Sequence, residues 1–554
     1  MTSFENISFG LKKTKEKYPY KRAVVYPVKQ DKQGRILYSQ INFKNLDEES
    51  DKLAFGFEKI GIKQGVRTIL MVKPGIEFFI ICFAMFKTGA IPVVVDPGMG
   101  ISRMLICLKQ SYPKAFIGIK KAHILRIIKP QYFKSVKKFV TIGKKWFWGG
   151  YTLDKLFLQK KKPYPIAQTK KDDTAAIVFT TGSTGPAKGV IYTHGNFVAQ
   201  IKQIQNHFKI ENDEIDLPTF PLFALFDPCL GMTAIIPDMD PVKPALANPK
   251  KIIQAINEHG VTNMFASPAL LNNLGKFGKE NKIKLFSLRR VISAGAPVYP
   301  SNIEQFSLGL SKNTKIHTPY GATEAVPVIS IESNEILKET KKLSEQGFGI
   351  CIGRPICNTK VEIIKIINEA ILRFDDEIKE SQGKVGEIIV KAELVTKQYF
   401  NNPLQERLSK IPEADGTIWH RMGDLGWKDN KGRIWFCGRK SHRVILKNKT
   451  LFTIPVEAIF NNHKNVFRSA LVGIGDRNNQ IPIIFIEPIC TISDEKVFIK
   501  ELLSMADNPL TKDIKHILIK KNFPVDIRHN SKIFREKLAI IAEKKLKHLI
   551  KNKN

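Results

Sequence analysis

The sequence predicts an α/β protein whose character changes along its length, and two patterns carry that prediction. Between residues 50 and 330, short Val- and Ile-rich runs alternate with segments of helical period; Thr68 to Val72, Ile91 to Val95, Ala175 to Phe179 and Arg290 to Ser293 are the clearest. Stacked α/β layers produce such alternation, because each buried strand returns through a helix. From Val361 to Trp435 the strand signals crowd together and are separated by Gly and Asp turns, as in Val385 to Val390, Ile418 to His420 and Ile434 to Cys437. That stretch reads as a β-rich subdomain over about 350–437. After Gly438-Arg439 a shorter mixed α/β region contains Val444 to Leu446, Ala470 to Gly473 and Ile481 to Glu487, and ends in a helical stretch from Ile533 to Ile550. The expected organisation is a large domain over 1–439 and a small one over 440–554.

Composition sets bounds on function. A chain of 554 residues exceeds what one core organises, and 43% apolar residues suffice for several. The longest apolar run, Phe78 to Phe86, is bracketed by Glu77 and Lys87, far short of the roughly 20 residues that span a bilayer. The first ten residues lack a basic region followed by an apolar stretch, so a cytoplasmic location is expected. The 7 cysteines are scattered, without a C-x-x-C pair or zinc-site spacing, and read as reduced thiols. The net charge of +36 has three readings: a solvated lysine-rich surface, weak attraction to an anionic membrane surface, or nucleic-acid binding. Clusters occur at Lys12 to Lys21, Lys160 to Lys171 and Lys544 to Lys553. No nucleic-acid motif accompanies them, so no specific nucleic-acid partner is expected.

The densest chemical signal is Phe179-Thr-Thr-Gly-Ser-Thr-Gly-Pro-Ala-Lys188-Gly189, directly after an apolar strand. Glycines let backbone N–H groups approach an anion, and the hydroxyls of Thr180, Thr181, Ser183 and Thr184 add donors. Gly182 and Gly185 supply the turns and Lys188 a point charge; together they describe a polyphosphate cradle. A merely flexible loop is the competing reading, but it does not account for Pro-x-Lys-Gly behind a buried strand. A Walker A pattern cannot be laid over the segment.

That segment resembles the signature of the adenylate-forming superfamily of acyl-CoA synthetases, luciferases and peptide-synthetase adenylation domains. Further matches follow in the family's order: Ser293-Ala-Gly-Ala-Pro297, Tyr320-Gly-Ala-Thr-Glu324, Gly386-Glu-Ile-Ile-Val390, Met422-Gly-Asp-Leu425, Gly438-Arg439 and the late Lys532. The resemblance implies a fold with a multi-subdomain N-terminal domain and a small, mobile α+β C-terminal domain. It also implies activation of a carboxylic acid by ATP and Mg²⁺ to acyl-AMP, with release of pyrophosphate. By the same resemblance Thr323 meets the α-phosphate, Glu324 holds Mg²⁺, and Asp424 and Arg439 grip the ribose. Gly295, Ala296 and Pro297, with Tyr320, Gly321 and Ala322, form the adenine slot; core packing is the competing reading of Tyr320. Lys532 is similar to the family's catalytic lysine, where a cation stabilises charge that builds on the α-phosphate in the transition state. The hinge for domain rotation falls at Lys440-Ser441, with Ser441 standing where Asp or Lys is common. Ile445 replaces a lysine that many members carry.

Phe220-Pro-Leu-Phe-Ala-Leu-Phe-Asp-Pro228 aligns with the family's acyl-pocket motif, with Ala224 in place of a frequent histidine. Phe223, Ala224 and Phe226 are the expected substrate contacts; ordinary core packing is the alternative for both aromatic residues. With Gly231 to Pro241 and the segments around Tyr320, Val444 and Phe523, this motif is closest to the olefin-pathway β-lactone synthetases. Those enzymes adenylate a 2-alkyl-3-hydroxy acid, whose own hydroxyl then displaces AMP. Transfer of a fatty acyl group to CoA or to a carrier thiol is the runner-up. A silent AMP-binding or membrane-surface protein is the reading from another class.

Overall fold

The computed structural model describes residues 5–160, 162–180, 187–526 and 532–547. Its first 320 residues build two seven-stranded sheets, each parallel except for one antiparallel edge strand. In spatial order the first contains Tyr151–Thr152, Lys138–Ile142, Ala115–Ile119, Arg67–Met71, Ile91–Val95, Thr174–Thr180 and Lys188–Thr193. The second runs Lys315–His317, Arg290–Ser293, Asn263–Ala266, Ile215–Pro218, Thr233–Ile235, Arg22–Gln30 and Ile36–Asn42. Strands such as Ile91–Val95 read as continuous apolar runs because helices cover a parallel sheet on both faces.

The Phe78 to Phe86 run is the middle of helix Ile76–Thr88, buried without interruption from Phe78 onward. A helix apolar on every side belongs in an interior. Gly89, with φ +69°, ends it by accepting the left-handed conformation that a side chain would resist. The buried Lys87 just before is neutralised by Asp47 and Asp51, each 2.6 Å away. Among the described residues no helix is long and apolar enough to cross a membrane.

The third sheet has eight antiparallel strands, from Tyr320–Ala322 and Ala325–Ser330 through Ile350–Pro355, Ile434–Arg439, Ile418–Lys428 and Gly386–Lys391 to Lys360–Ile364. It begins at Tyr320, ahead of the start near 350 expected from sequence. Its first two strands are only three and six residues long and the second contains Pro327, so no period-2 alternation develops there. Ile418–Lys428 also outruns the expected Ile418 to His420, because Gly423 at φ +66° and a register shift between Leu425 and Gly426 interrupt its alternation without ending it.

The C-terminal region forms a three-stranded sheet, Val466–Ile474, Ile481–Pro488 and His516–Ile519, flanked by helices Thr453–Asn461, Glu495–Met505 and Arg535–Lys545. The architecture is therefore an α/β fold with a large N-terminal and a small C-terminal domain.

Candidate active site

The carboxyl ends of the parallel strands in both seven-stranded sheets converge with the eight-stranded sheet on one cavity of about 2530 Å³. Open α/β sheets place ligands there, where loops rather than strands supply the lining. Lys188, Gly295, Ala296, Pro297, Tyr320, Gly321, Ala322, Thr323, Glu324, Asp424, Arg439 and Lys532 all line it, although they come from five separate stretches of chain. Thr181, Gly182, Ser183, Thr184 and Gly185 lie outside the described residues, as does the side chain of Thr180.

Lys188 opens the strand that follows the glycine-rich segment. Its ammonium lies 5.4 Å from the Tyr399 ring, and burial holds it below the usual lysine range despite the opposing pull of Glu324. The Tyr399 hydroxyl donates to Glu324 Oε1 at 2.7 Å. The Glu324 carbonyl accepts from the Thr396 amide at 2.9 Å and the Thr396 hydroxyl at 3.2 Å. Lys410 is buried, donates to the Thr396 carbonyl and lies 5.5 Å from the Tyr399 ring. Burial drives Lys410 down to about 7 and His420 to about 3. Burial also pushes the Glu324 carboxyl up, but the neighbouring His420 and Lys410 and the Tyr399 hydrogen bond hold it below the usual carboxylate range. An ionised carboxylate facing a lysine across a cavity suits a hard divalent cation bridging phosphates.

Asp424 and Arg439 are direct partners in the antiparallel register, and the Arg439 Nη1 donates to Asp424 Oδ1 at 2.9 Å. The Tyr320 hydroxyl donates to Asp424 Oδ2 at 2.6 Å. Each carboxylate oxygen retains a lone pair, so Asp424 can still accept from two further hydroxyls. Tyr320 is half-buried, with its hydroxyl tied to the same carboxylate. Gly321 cannot carry a side chain, since a Cβ would meet the Ala325 carbonyl at 2.5 Å. Ser293 Oγ is buried without a partner, a polar atom beside the adenine segment that a nucleotide could satisfy. These donors, acceptors and charges fit a nucleoside polyphosphate with its cation.

The apolar end of the cavity departs from expectation at one position. Phe223 and Phe226 line it, with Phe223 edge-on to Phe265 at 4.8 Å. Ala224 does not: it is 0% exposed in the core, and Leu222 and Leu225 face the cavity instead. Pro221–Ala224 forms one helical turn, which points Ala224 away from the side that its neighbours present. Phe78, Cys82 and Phe86 line the innermost part, one stripe of the buried helix at i, i+4 and i+8.

Lys532 and Asp526 close the base of a turn, with the Lys532 amide donating to Asp526 Oδ1 at 2.7 Å and the Asp526 amide to the Lys532 carbonyl at 3.1 Å. Lys440 begins a single helical turn over Lys440–His442 and pairs with Glu387 at 2.9 Å, while Ser441 is exposed. Sequence reasoning missed Tyr399, Lys410 and Glu387. Tyr399 lies in an irregular segment and Lys410 looks like any surface lysine until the fold buries it.

A model of the family described as AMP-binding enzyme matches residues 11–400. An olefin β-lactone synthetase of Stenotrophomonas maltophilia is 43% identical, the match covering 91% of this chain and 92% of that one. One from Xanthomonas campestris pv. campestris is 41% identical, covering 98% of each. Among solved structures, the anthranilate CoA ligase AuaEII in complex with anthranoyl-AMP superimposes with a TM-score of 0.78 at 18% identity, covering 98% of both chains. With that fold, and a family match over most of its length, the chain belongs to the AMP-binding enzymes, the adenylate-forming family that includes the olefin β-lactone synthetases.

Proposed function

We propose that the protein uses ATP to activate a long-chain 2-alkyl-3-hydroxy acid as acyl-AMP and then closes it to a β-lactone. The observation that carries this reading is near-full-length identity of 41–43% to olefin β-lactone synthetases. A cavity that joins the nucleotide-facing residues to a stripe of Phe side chains supports it, because such a shape accommodates an adenylate with an alkyl tail.

In the first step a carboxylate oxygen of the acid attacks the α-phosphorus of ATP, and the bond to pyrophosphate breaks. Lys532 and Thr323 stabilise the charge gathering on the α-phosphate oxygens, and Lys188 holds the leaving phosphates. A Mg²⁺ ion, when bound, supplies neutralisation of phosphate charge. Glu324, fixed by Tyr399, holds that ion, while Asp424 and Arg439 orient the ribose. In the second step the 3-hydroxyl oxygen bonds to the acyl carbon, the acyl–phosphate bond breaks, and the hydroxyl proton leaves with AMP or solvent. Because nucleophile and electrophile share one molecule, orientation replaces a second substrate, and CoA is not needed. Residues 1–439 carry the nucleotide site and 440–554 bring Lys532 to it.

Mass spectrometry after incubation with Mg-ATP and either a fatty acid or a 2-alkyl-3-hydroxy acid, with and without CoA, tests this reading. A β-lactone and AMP formed without CoA are expected. Acyl-CoA formed only when CoA is added would replace it with a CoA ligase.

Glu324→Gln is expected to raise the Mg²⁺ concentration for half-maximal adenylation by about tenfold or more. AMP affinity, measured by calorimetry without metal, should change little. Equal loss of both would take Glu324 out of the metal role.

A further inference from the structure

We propose that the outer edge of the first seven-stranded sheet is a docking surface for an anionic lipid bilayer, with Trp146 and Phe147 entering the headgroup layer between lysines. The positive charge of the chain is not evenly spread. Between Asp96 and Asp154 there is no acidic residue, while 12 Lys and Arg occur: Arg103, Lys109, Lys114, Lys120, Lys121, Arg126, Lys129, Lys134, Lys137, Lys138, Lys144 and Lys145. This stretch builds the sheet's outer strands, Ala115–Ile119 and Lys138–Ile142, with helices Ile101–Gln110 and Lys120–Ile128.

The loop from Lys144 to Gly150 presents its aromatic residues from a firm base. Trp148 is only 5% exposed, stacks on His123 at 5.4 Å with planes 4° apart, and donates from Nε1 to Thr141 Oγ1 at 3.0 Å. Lys145 closes the loop by donating to the Gly150 carbonyl at 2.9 Å. Gly150 has φ +94°, and a Cβ there would meet the Phe139 carbonyl at 2.4 Å. With Trp148 buried, its neighbours face out: Phe147 is 83% exposed and Trp146 49%.

Exposed aromatic residues flanked by cations mark a membrane–water interface, where rings sit at headgroup depth and lysines meet lipid phosphate. The alternative of base stacking on a nucleic acid is disfavoured by the Lys120 ammonium, which lies 3.1 Å from the Trp146 ring centroid and covers one face. Ile127 and Ile128 on the same stretch are exposed aliphatic side chains, which a bilayer can cover and a polynucleotide cannot use. Lys121 and Leu125, on the helix that carries Lys120, line the large cavity. A bilayer held at this edge therefore lies beside the cavity.

The full chain should co-sediment with phosphatidylcholine vesicles containing phosphatidylglycerol, less so as salt rises, and weakly with phosphatidylcholine alone. Lys144→Gln with Lys145→Gln should lower partitioning about 25-fold, and Phe147→Ser about tenfold. Melting curves should stay unchanged, because these side chains are exposed. The same double change at Lys544 and Lys545 should have a much smaller effect. Equal loss from the two lysine pairs, indifference to Phe147 or no preference for anionic lipid would overturn the proposal. Displacement from vesicles by single-stranded RNA that binds the Phe147→Ser protein undiminished would overturn it in favour of a nucleic acid. None of these outcomes depends on the reaction catalysed.

Discussion

Lys532→Ala is expected to lower acyl-adenylate formation by about 10³-fold while leaving the conversion of supplied acyl-AMP within a fewfold of the unaltered protein. The asymmetry follows from where charge develops. Attack on the α-phosphorus concentrates negative charge on oxygens that a cation at Lys532 would meet in the transition state more strongly than in the ground state. Closure of the lactone places no such demand, because the leaving phosphate loses charge density to the departing AMP rather than gathering it. Lys532 lines the cavity from a turn whose backbone is fastened to Asp526, so the substitution removes the ammonium without disturbing its support. Pyrophosphate release measures the first step and mass spectrometry of synthetic acyl-AMP the second. Equal loss in both assays would assign Lys532 to nucleotide binding in general.

Glu387→Gln should destabilise the protein by about 3–5 kcal/mol, a large effect for one atom exchanged. Glu387 Oε2 receives Arg421 Nη2 at 2.7 Å and Lys440 Nζ at 2.9 Å, and the side chains of Glu387 and Arg421 are each 2% exposed. An amide would leave two cations facing each other with no anion between them. Arg421 is further held by the carbonyls of Glu369 and Leu408 at 2.7 and 3.1 Å, so it cannot swing to solvent. Urea unfolding read by fluorescence is suited to this test, since Trp419, Trp427 and Trp435 sit in the same sheet. Because Lys440 begins the proposed hinge, the variant should also alter the ratio of the two half-reactions. An unchanged midpoint would mean that the carboxylate is not the counter-ion of this pair.

The fold class was legible because its signals are local. Ile91–Val95 and Arg290–Ser293 were located to the residue, since a buried parallel strand is a continuous apolar run. The start of the eight-stranded sheet was not, because Tyr320–Ala322 is too short to carry a pattern. The candidate site divides in the same way. Thr323, Glu324, Asp424 and Arg439 are visible as motif positions, whereas Tyr399 gains meaning only from the hydrogen bond it makes to Glu324 across 75 residues of chain. Ala224 was misassigned because the direction of a side chain in a single helical turn depends on how that turn packs.

By itself the sequence determined the family and the nucleotide chemistry, because a phosphate and its ribose are recognised by short contiguous segments whose residue types the ligand dictates. The basic stretch from Asp96 to Asp154 was also present in the sequence, but only the burial of Trp148 shows which of its aromatic neighbours reach solvent. Tertiary structure alone decided which face of Phe220 to Phe226 meets the cavity, and that the helix Ile76–Thr88 forms its inner end. It also decided that Lys410 and Lys440 are buried beside carboxylate-bearing segments. The physical reason is common to all of these: burial and charge pairing are properties of segments brought together by packing, and no local pattern in either segment encodes its partner.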